Sequence, residues 1–301
     1  MKILQQGFMI GLLVLLQACS DGKPVNTESG EQIETSSTAV ETDALAQVLA
    51  QRSDEDKSRD SSRHPRATLE FMGLQPGMTV VEVLPGGGWY SKILLPYLGK
   101  DGQLVGVDYP QTLWPNFSWM TPERIEAKKT WVSTWTAQAQ EWRGDNAASV
   151  NAFQFEEMPA ALKESADAVL FIRALHNLAR FSDKHDFLGN ALKDTYAVLK
   201  PGGIVGIVQH QAREDRPDSW ANGDNGYLKK SAVIALMQNA GFEFIAESNI
   251  NENPLDQANV GDIVWRLPPS FSGSGDDATK KAAMTAIGES HRMTLTFRKP
   301  K

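Results

Sequence analysis

From residue 77 onward, β-branched apolar runs alternate with segments of helical spacing. The runs at 79–84 (TVVEVL), Gln103–Asp108 (QLVGVD), 149–155, Ala166–Ile172 (ADAVLFI), 203–209 (GIVGIVQ) and 242–248 predict six strands, and RMTLTF at 292–297 predicts a last one. The intervening spacing predicts helices over 89–98, 121–143, 182–199 and 229–240. Thr121 and Pro122 fit a cap and first position, and Gly241 stops the last of these helices. Strands that alternate with helices imply an α/β fold with a mostly parallel sheet covered on both faces. Ligands of such sheets bind beyond the carboxyl ends of the strands, near the point where strand order reverses.

Outside this pattern, residues 43–52 have helical periodicity, 53–63 are charged and read as exposed, and 65–72 form a short helix with Pro65 at its first position and His64 as its cap. Residues 249–290 are rich in Pro, Gly and Asn, with one helical piece over 276–287. The amino terminus has its own logic. Lys2 precedes an apolar stretch at 8–16 (FMIGLLVLL) that is too short to span a bilayer. Leu16-Gln17-Ala18-Cys19 follows, and Cys19 is the single cysteine of the chain. This segment resembles the lipobox of bacterial lipoproteins. The resemblance implies a signal peptide over 1–18, lipidation of Cys19 and a flexible tether over 19–42, with one domain over 43–301. Ser20 after the cysteine resembles the outer-membrane sorting pattern, which places the protein in the envelope, facing the periplasm. A plain export signal with an incidental cysteine is the alternative.

Net charge is −7 and no Lys/Arg block occurs, which argues against nucleic acid and leaves the lipid anchor as the membrane contact. The chemistry concentrates in TVVEVLPGGGWYSKIL. Gly86, Gly87 and Gly88 allow a tight turn and close approach to a ligand, whose negative groups the following helix would attract. Glu82 inside the strand would repel a pyrophosphate and suits a ligand with positive charge. Asp108 ends the second strand, where it could accept from ribose hydroxyls. Leu199-Lys200-Pro201-Gly202-Gly203 leads into the strand at 203–209.

Together these segments resemble class I S-adenosyl-L-methionine-dependent methyltransferases, and most closely an exported branch that shares Arg63-His64-Pro65, Pro85–Tyr90 and the closing strand. The resemblance covers residues 63–301. It implies a Rossmann-like sheet with an antiparallel last strand. Glu82 fills the family's acid position, and Gly86 and Gly88 its second and third glycines. Leu84 stands where the first glycine would be. Gln154 or Glu156 takes the place of the acid after the third strand, and Phe155 is placed to pack on adenine. Arg173 joins the expected cofactor set of Glu82, Gly86, Gly87, Gly88, Asp108, Gln154 and Phe155.

His176 follows the fourth predicted strand and His210 the fifth, so both are expected to open into one cleft as catalytic candidates. Tyr90, Trp265 and Arg266 are expected at the acceptor wall, with residues 249–290 rising over the cleft as a lid. His185 reads as surface, and His291 falls near the cleft edge. The tryptophans at 114, 119, 131, 135 and 142 are expected to pack a helical core. No metal-ligand spacing and no G-x-S-x-G elbow occurs. The expected activity is methyl transfer to a small molecule or an envelope component. The alternative is a methyltransferase fold that binds a ligand or partner without catalysis, favoured because the cofactor is made in the cytosol while this chain carries an export signal. A nicotinamide-dependent oxidoreductase is a third reading, disfavoured by Glu82 and by Trp89 and Tyr90 beside the glycines.

Overall fold

A computed structural model describes residues 43–301. The expectations at Cys19 and over 1–18 and 19–42 lie outside the described residues. The strands are β1 (Thr79–Val83), β2 (Gln103–Asp108), β3 (Ser149–Gln154), β4 (Ala166–Ile172), β5 (Leu199–Ala212), β6 (Leu228–Lys229), β7 (Glu243–Ser248) and β8 (Arg292–Arg298). They pair in the order β3-β2-β1-β4-β5-β8-β7, with the short β6 added to the end of β5. β1 to β5 run parallel, and β8 is antiparallel to both β5 and β7. The sheet is thus Rossmann-like and mostly parallel, with the antiparallel last strand the sequence implies.

The helices are α1 (Ala44–Gln51), α2 (Asp54–Lys57), α3 (Asp60–Arg63), α4 (Pro65–Phe71), α5 (Ser91–Leu98), α6 (Pro122–Lys128), α7 (Trp131–Trp142), α8 (Leu175–Ala179), α9 (Phe187–Val198), α10 (Lys230–Asn239) and α11 (Ala278–Ile287). Two cores flank the sheet. Leu45, Leu69, Ile93, Leu94 and Trp135 cover Val80, Leu104 and Leu170 on one face. Leu178, Phe187, Leu192 and Met237 cover Val81, Val105 and Val169 on the other. Val80 and Val81 enter different cores because successive strand side chains point to opposite faces. Burial on both faces is why the central strands are continuous apolar runs. β7, at the edge, alternates exposed and half-buried positions instead.

Several expectations change. Residues 121–143 form two helices, with Thr121 capping α6 and a break between Lys128 and Trp131. α9 begins only at Phe187, where Asp186 accepts from the Gly189 N–H at 3.0 Å. The segment 53–63 is not simply exposed: it forms α2 and α3, and Arg63 is buried. His64 adopts a left-handed backbone, φ 42°, and its side chain makes no cap bond.

The Leu-Lys-Pro-Gly-Gly segment is structural. It opens β5 at the amino end, away from the carboxyl ends where ligands bind. Lys200 Nζ donates to Asp167 Oδ1 at 2.6 Å, and Asp167 Oδ2 accepts from the Thr79 N–H at 2.8 Å. One lysine and one carboxylate thereby tie the starts of β5, β4 and β1. In the insert 249–290, Asp256 is the node: it accepts from Tyr227 Oη at 3.0 Å, Arg266 Nη2 at 2.9 Å and the His291 N–H at 3.1 Å.

Candidate functional site

The carboxyl end of β1 turns at Leu84, whose backbone lies in the left-handed region, φ 53°. A leucine there bears a steric cost that a glycine would not. The residue standing in for the family's first glycine thus keeps a glycine's conformation. The same holds at the end of β4, where Arg173 has φ 58°. Gly86 (φ 56°) and Gly87 have open space where side chains would project. Gly88 does not: a Cβ there would stand 2.2 Å from Cζ3 of Trp142. Gly88 packs against Trp142 of α7.

Glu82 is buried, and its Oε2 accepts from Ser91 Oγ at 2.6 Å, which joins β1 to the first turn of α5. Burial pushes its carboxyl up to about 7, and the Ser91 bond offsets part of that rise. Asp108 is fully buried at the end of β2. Its Oδ2 accepts from Lys128 Nζ at 2.8 Å, while Oδ1 has no partner among the described residues. Burial raises the Asp108 carboxyl and Lys128 holds it back. Lys128 also lies 3.7 Å from the centroid of the Trp114 ring. The sequence reading missed this lysine because a continuous helix over 121–143 hides the break that turns it inward.

Next to Asp108, Tyr109 reaches across the end of β1. Its hydroxyl donates to the Ala174 carbonyl at 2.7 Å and accepts from Asn177 Nδ2 at 3.3 Å. A cavity of about 500 Å³ opens here, lined by Leu84, Tyr109, Trp114, Phe117, Arg180 and Trp265 among others. It lies at the carboxyl ends of β1, β2 and β4, where the fold predicts a ligand. Trp265, from the 249–290 segment, also lines it. Trp114 and Trp119 line it too; Trp114 is also buried in the core, as expected, whereas Trp119 is exposed. Trp135 packs on Gly106 and stacks with Trp131, as expected.

Other expected residues lie elsewhere. Phe155 is buried and stacks parallel to Phe171 in the core, so it faces no open site. Gln154 donates to the Lys128 carbonyl at 3.2 Å. Glu156 turns away, accepting from Asn190 Nδ2 at 3.1 Å and bonded to His185 Nε2 at 2.9 Å. Arg266 is held by Asp256 and Asp262, not presented to the cavity. Tyr90 is buried in the core beside Ile93 and Leu94. His291 Nδ1 accepts from the Asn253 N–H at 3.0 Å.

His176 and His210 do come together, with ring centroids 5.3 Å apart. Both are buried, and neither lines the cavity. His176 Nδ1 bonds Gln209 Oε1 at 3.2 Å, and His210 Nδ1 bonds Ser290 Oγ at 2.6 Å. Burial pushes His176 down to about 4 and His210 well below its ordinary value. The two imidazoles are interior and bonded to Gln209 and Ser290, and the His176 ring lies 5.8 Å from that of Trp265, which lines the cavity.

An adenosyl ligand fits this arrangement in part. The unpartnered Asp108 Oδ1 suits a hydroxyl donor, and the open faces of Gly86 and Gly87 suit close approach. Gln154 and Phe155, expected at the adenine, meet the Lys128 carbonyl and the Phe171 ring.

The sequence matches no family model. An arsenite methyltransferase of Halobacterium salinarum is 29% identical over 182 residues, 58% of this chain and 40% of that protein. The chain therefore spans less than half the length of that curated relative. A SAM dependent methyltransferase from Aquifex aeolicus aligns over 85% of this chain and 98% of its own, at 14% identity and a TM-score of 0.46. An arsenic(III) S-adenosylmethionine methyltransferase from Chlamydomonas reinhardtii aligns over 86% and 73%, at 17% identity and a TM-score of 0.44. The strand order with antiparallel β8 is that of the class I methyltransferase fold.

Proposed function

We propose that this protein is an S-adenosylmethionine-dependent methyltransferase that acts on a small molecule, with the Asp108 carboxylate taking the ribose hydroxyls. The observation that carries the reading is the buried Asp108 carboxylate at the carboxyl end of β2, next in sequence to Tyr109 of the cavity wall. When bound, the sulfonium supplies the methyl group. Glu82 shapes the floor by fixing Ser91 and the start of α5. Leu84, Tyr109 and Trp265 form part of the cavity wall. Its wall contains no carboxylate or imidazole. The acceptor must therefore arrive with a free lone pair, and the protein contributes alignment more than proton removal. Arsenite is not the proposed acceptor. Soft arsenic(III) favours thiolates, and the chain has one cysteine, Cys19. The reading includes a lipid anchor at Cys19 in the bacterial envelope.

Binding without catalysis is the second reading. Tyr109, bridged from β2 to Ala174 across the end of β1, favours it because the tyrosine occupies the ligand's expected path. Calorimetric titration with S-adenosylmethionine, S-adenosylhomocysteine and NAD separates the possibilities. The parent should bind the first two and not NAD. Asp108→Asn should weaken them by about 10–100-fold, the value of a charge-assisted hydrogen bond. Equal affinity in parent and variant, or binding of NAD alone, would refute the assignment.

A further inference from the structure

A cluster of guanidiniums lies where α3, the end of β4 and the start of β8 meet. Arg63 ends α3 and Arg292 begins β8, and each is 3% exposed. Arg59 precedes α3, and Arg173 follows β4. The carboxylate that faces all four is Glu289. Its Oε1 accepts from Arg59 Nε at 2.7 Å and stands 3.6 Å from Arg63 Nε, and its Oε2 lies 3.4 Å from Arg292 Nη1. Arg292 is otherwise satisfied, donating to the Ser290 carbonyl at 3.2 Å and to the Ser62 carbonyl.

The other two differ. Arg63 Nε is buried with no hydrogen-bond partner among the described residues, and its guanidinium rests 4.5 Å from the centroid of the Trp89 ring. Arg173 is half-buried at the end of β4, and Glu289, Arg292 and Arg59 act on it through charge. His176 and His210, neutral at pH 7, add no negative charge on this side. Burial and then the nearby Arg173 push Arg63 down to about 9, and burial pushes Arg173 down to about 10. Four guanidiniums against one carboxylate leave a positive surplus, with Arg63 and Arg292 buried and Arg59 and Arg173 half-buried. Such a surplus is costly unless an anion answers it.

We propose that Arg63 and Arg173 form a binding site for an oxyanion group, a carboxylate or a phosphate, backed by Arg59 and Arg292. Each guanidinium presents five N–H donors in a fork that matches such a group. The Glu289 carboxylate is already shared by Arg59 and Arg292, so it orients the cluster without filling the site. Tyr90, beside the glycine turn, lies within charge range of Arg292, Arg173 and Arg63. The site thus adjoins the start of α5. The anion could come from the amino-acid end of an adenosyl ligand or from a separate molecule, and the experiment distinguishes these sources.

Thermal unfolding of the full chain with inorganic phosphate tests the site directly. Phosphate should raise the parent's Tm relative to chloride of equal ionic strength, and Arg63→Gln and Arg173→Gln should lose that rise. Both substitutions remove surplus positive charge, so their Tm without phosphate should equal or exceed the parent's. Titration with S-adenosylhomocysteine and with 5′-methylthioadenosine, which lacks the amino-acid group, then assigns the source. A loss of about 10–100-fold for the first compound alone means that the site takes the ligand's own carboxylate. Unchanged affinity for both, with phosphate stabilisation lost, assigns the anion to a second molecule. If phosphate acts equally on parent and variants or on none, and S-adenosylhomocysteine affinity is unchanged, the site is refuted. If neither adenosyl compound binds the parent, the phosphate arm decides alone, so failure of the methyltransferase reading stays separate.

Discussion

Glu82 is an acid that water does not reach. Burial pushes its carboxyl from 4.5 up to about 7, and the bond from Ser91 returns only part of the cost. The folded chain therefore keeps a proton that the unfolded chain releases between pH 4.5 and about 7. Stability should fall as pH rises through that window, by about 3 kcal/mol in all, and change no further from this group above it. Glu82→Gln removes the titration and keeps an acceptor for Ser91. Urea midpoints of parent and variant should lie close together at about pH 4.5 and separate by about pH 8, with the variant the more stable. Parallel midpoint curves over that range would count against the buried acid. Asp108 differs because Lys128 answers its charge on one oxygen and leaves the other unpartnered.

At the level of elements, the glycine turn is shared between two partners. Gly86 and Gly87 are open, whereas Gly88 takes the Trp142 ring of α7 against its backbone at φ 76°. Gly88→Ala should destabilise by about 1–3 kcal/mol, from strain at positive φ and from the clash. Adding Trp142→Ala should recover the clash part, a coupling of at least about 0.5 kcal/mol in a double-mutant cycle read by denaturant unfolding. Additive effects would mean that Gly88 serves something other than α7. The break between α6 and α7 matters in the same way, because it lets Lys128 reach Asp108 and Trp114 from one position.

For the whole molecule, the parallel strands gather Leu84, Asp108 and Arg173 at one edge, although the chain separates them widely. The insert before β8 returns to the same edge and sets Trp265 against the cavity. The anchor proposed at Cys19 would hold the protein in the envelope; none of the described helices is long and apolar enough to cross a membrane. Cys19→Ala should move the protein from the membrane to the soluble fraction, with the Tm of the domain unchanged. Fractionation like the parent's would remove the lipid anchor from the reading.

The strands were legible in the sequence because burial on both faces demands continuous apolar runs, and their alternation with helices dictates a parallel sheet. The turn at 84–88 was legible for a similar reason, since consecutive glycines have few uses after a strand. Contacts between distant segments were not legible. Nothing local distinguishes Gly88, which meets Trp142, from Gly87, which meets nothing. His176 and His210 follow adjacent strands, as the sequence indicates, yet only the packing of 249–290 decides that they are enclosed. Arg63 reads as one charge in a charged run, and its burial beside Arg173 and Arg292 depends on α3 folding against the ends of β4 and β8. Local periodicity fixes which residues form an element. Which side chains are deprived of water, and which are left without a partner, is decided only when the elements close over one another.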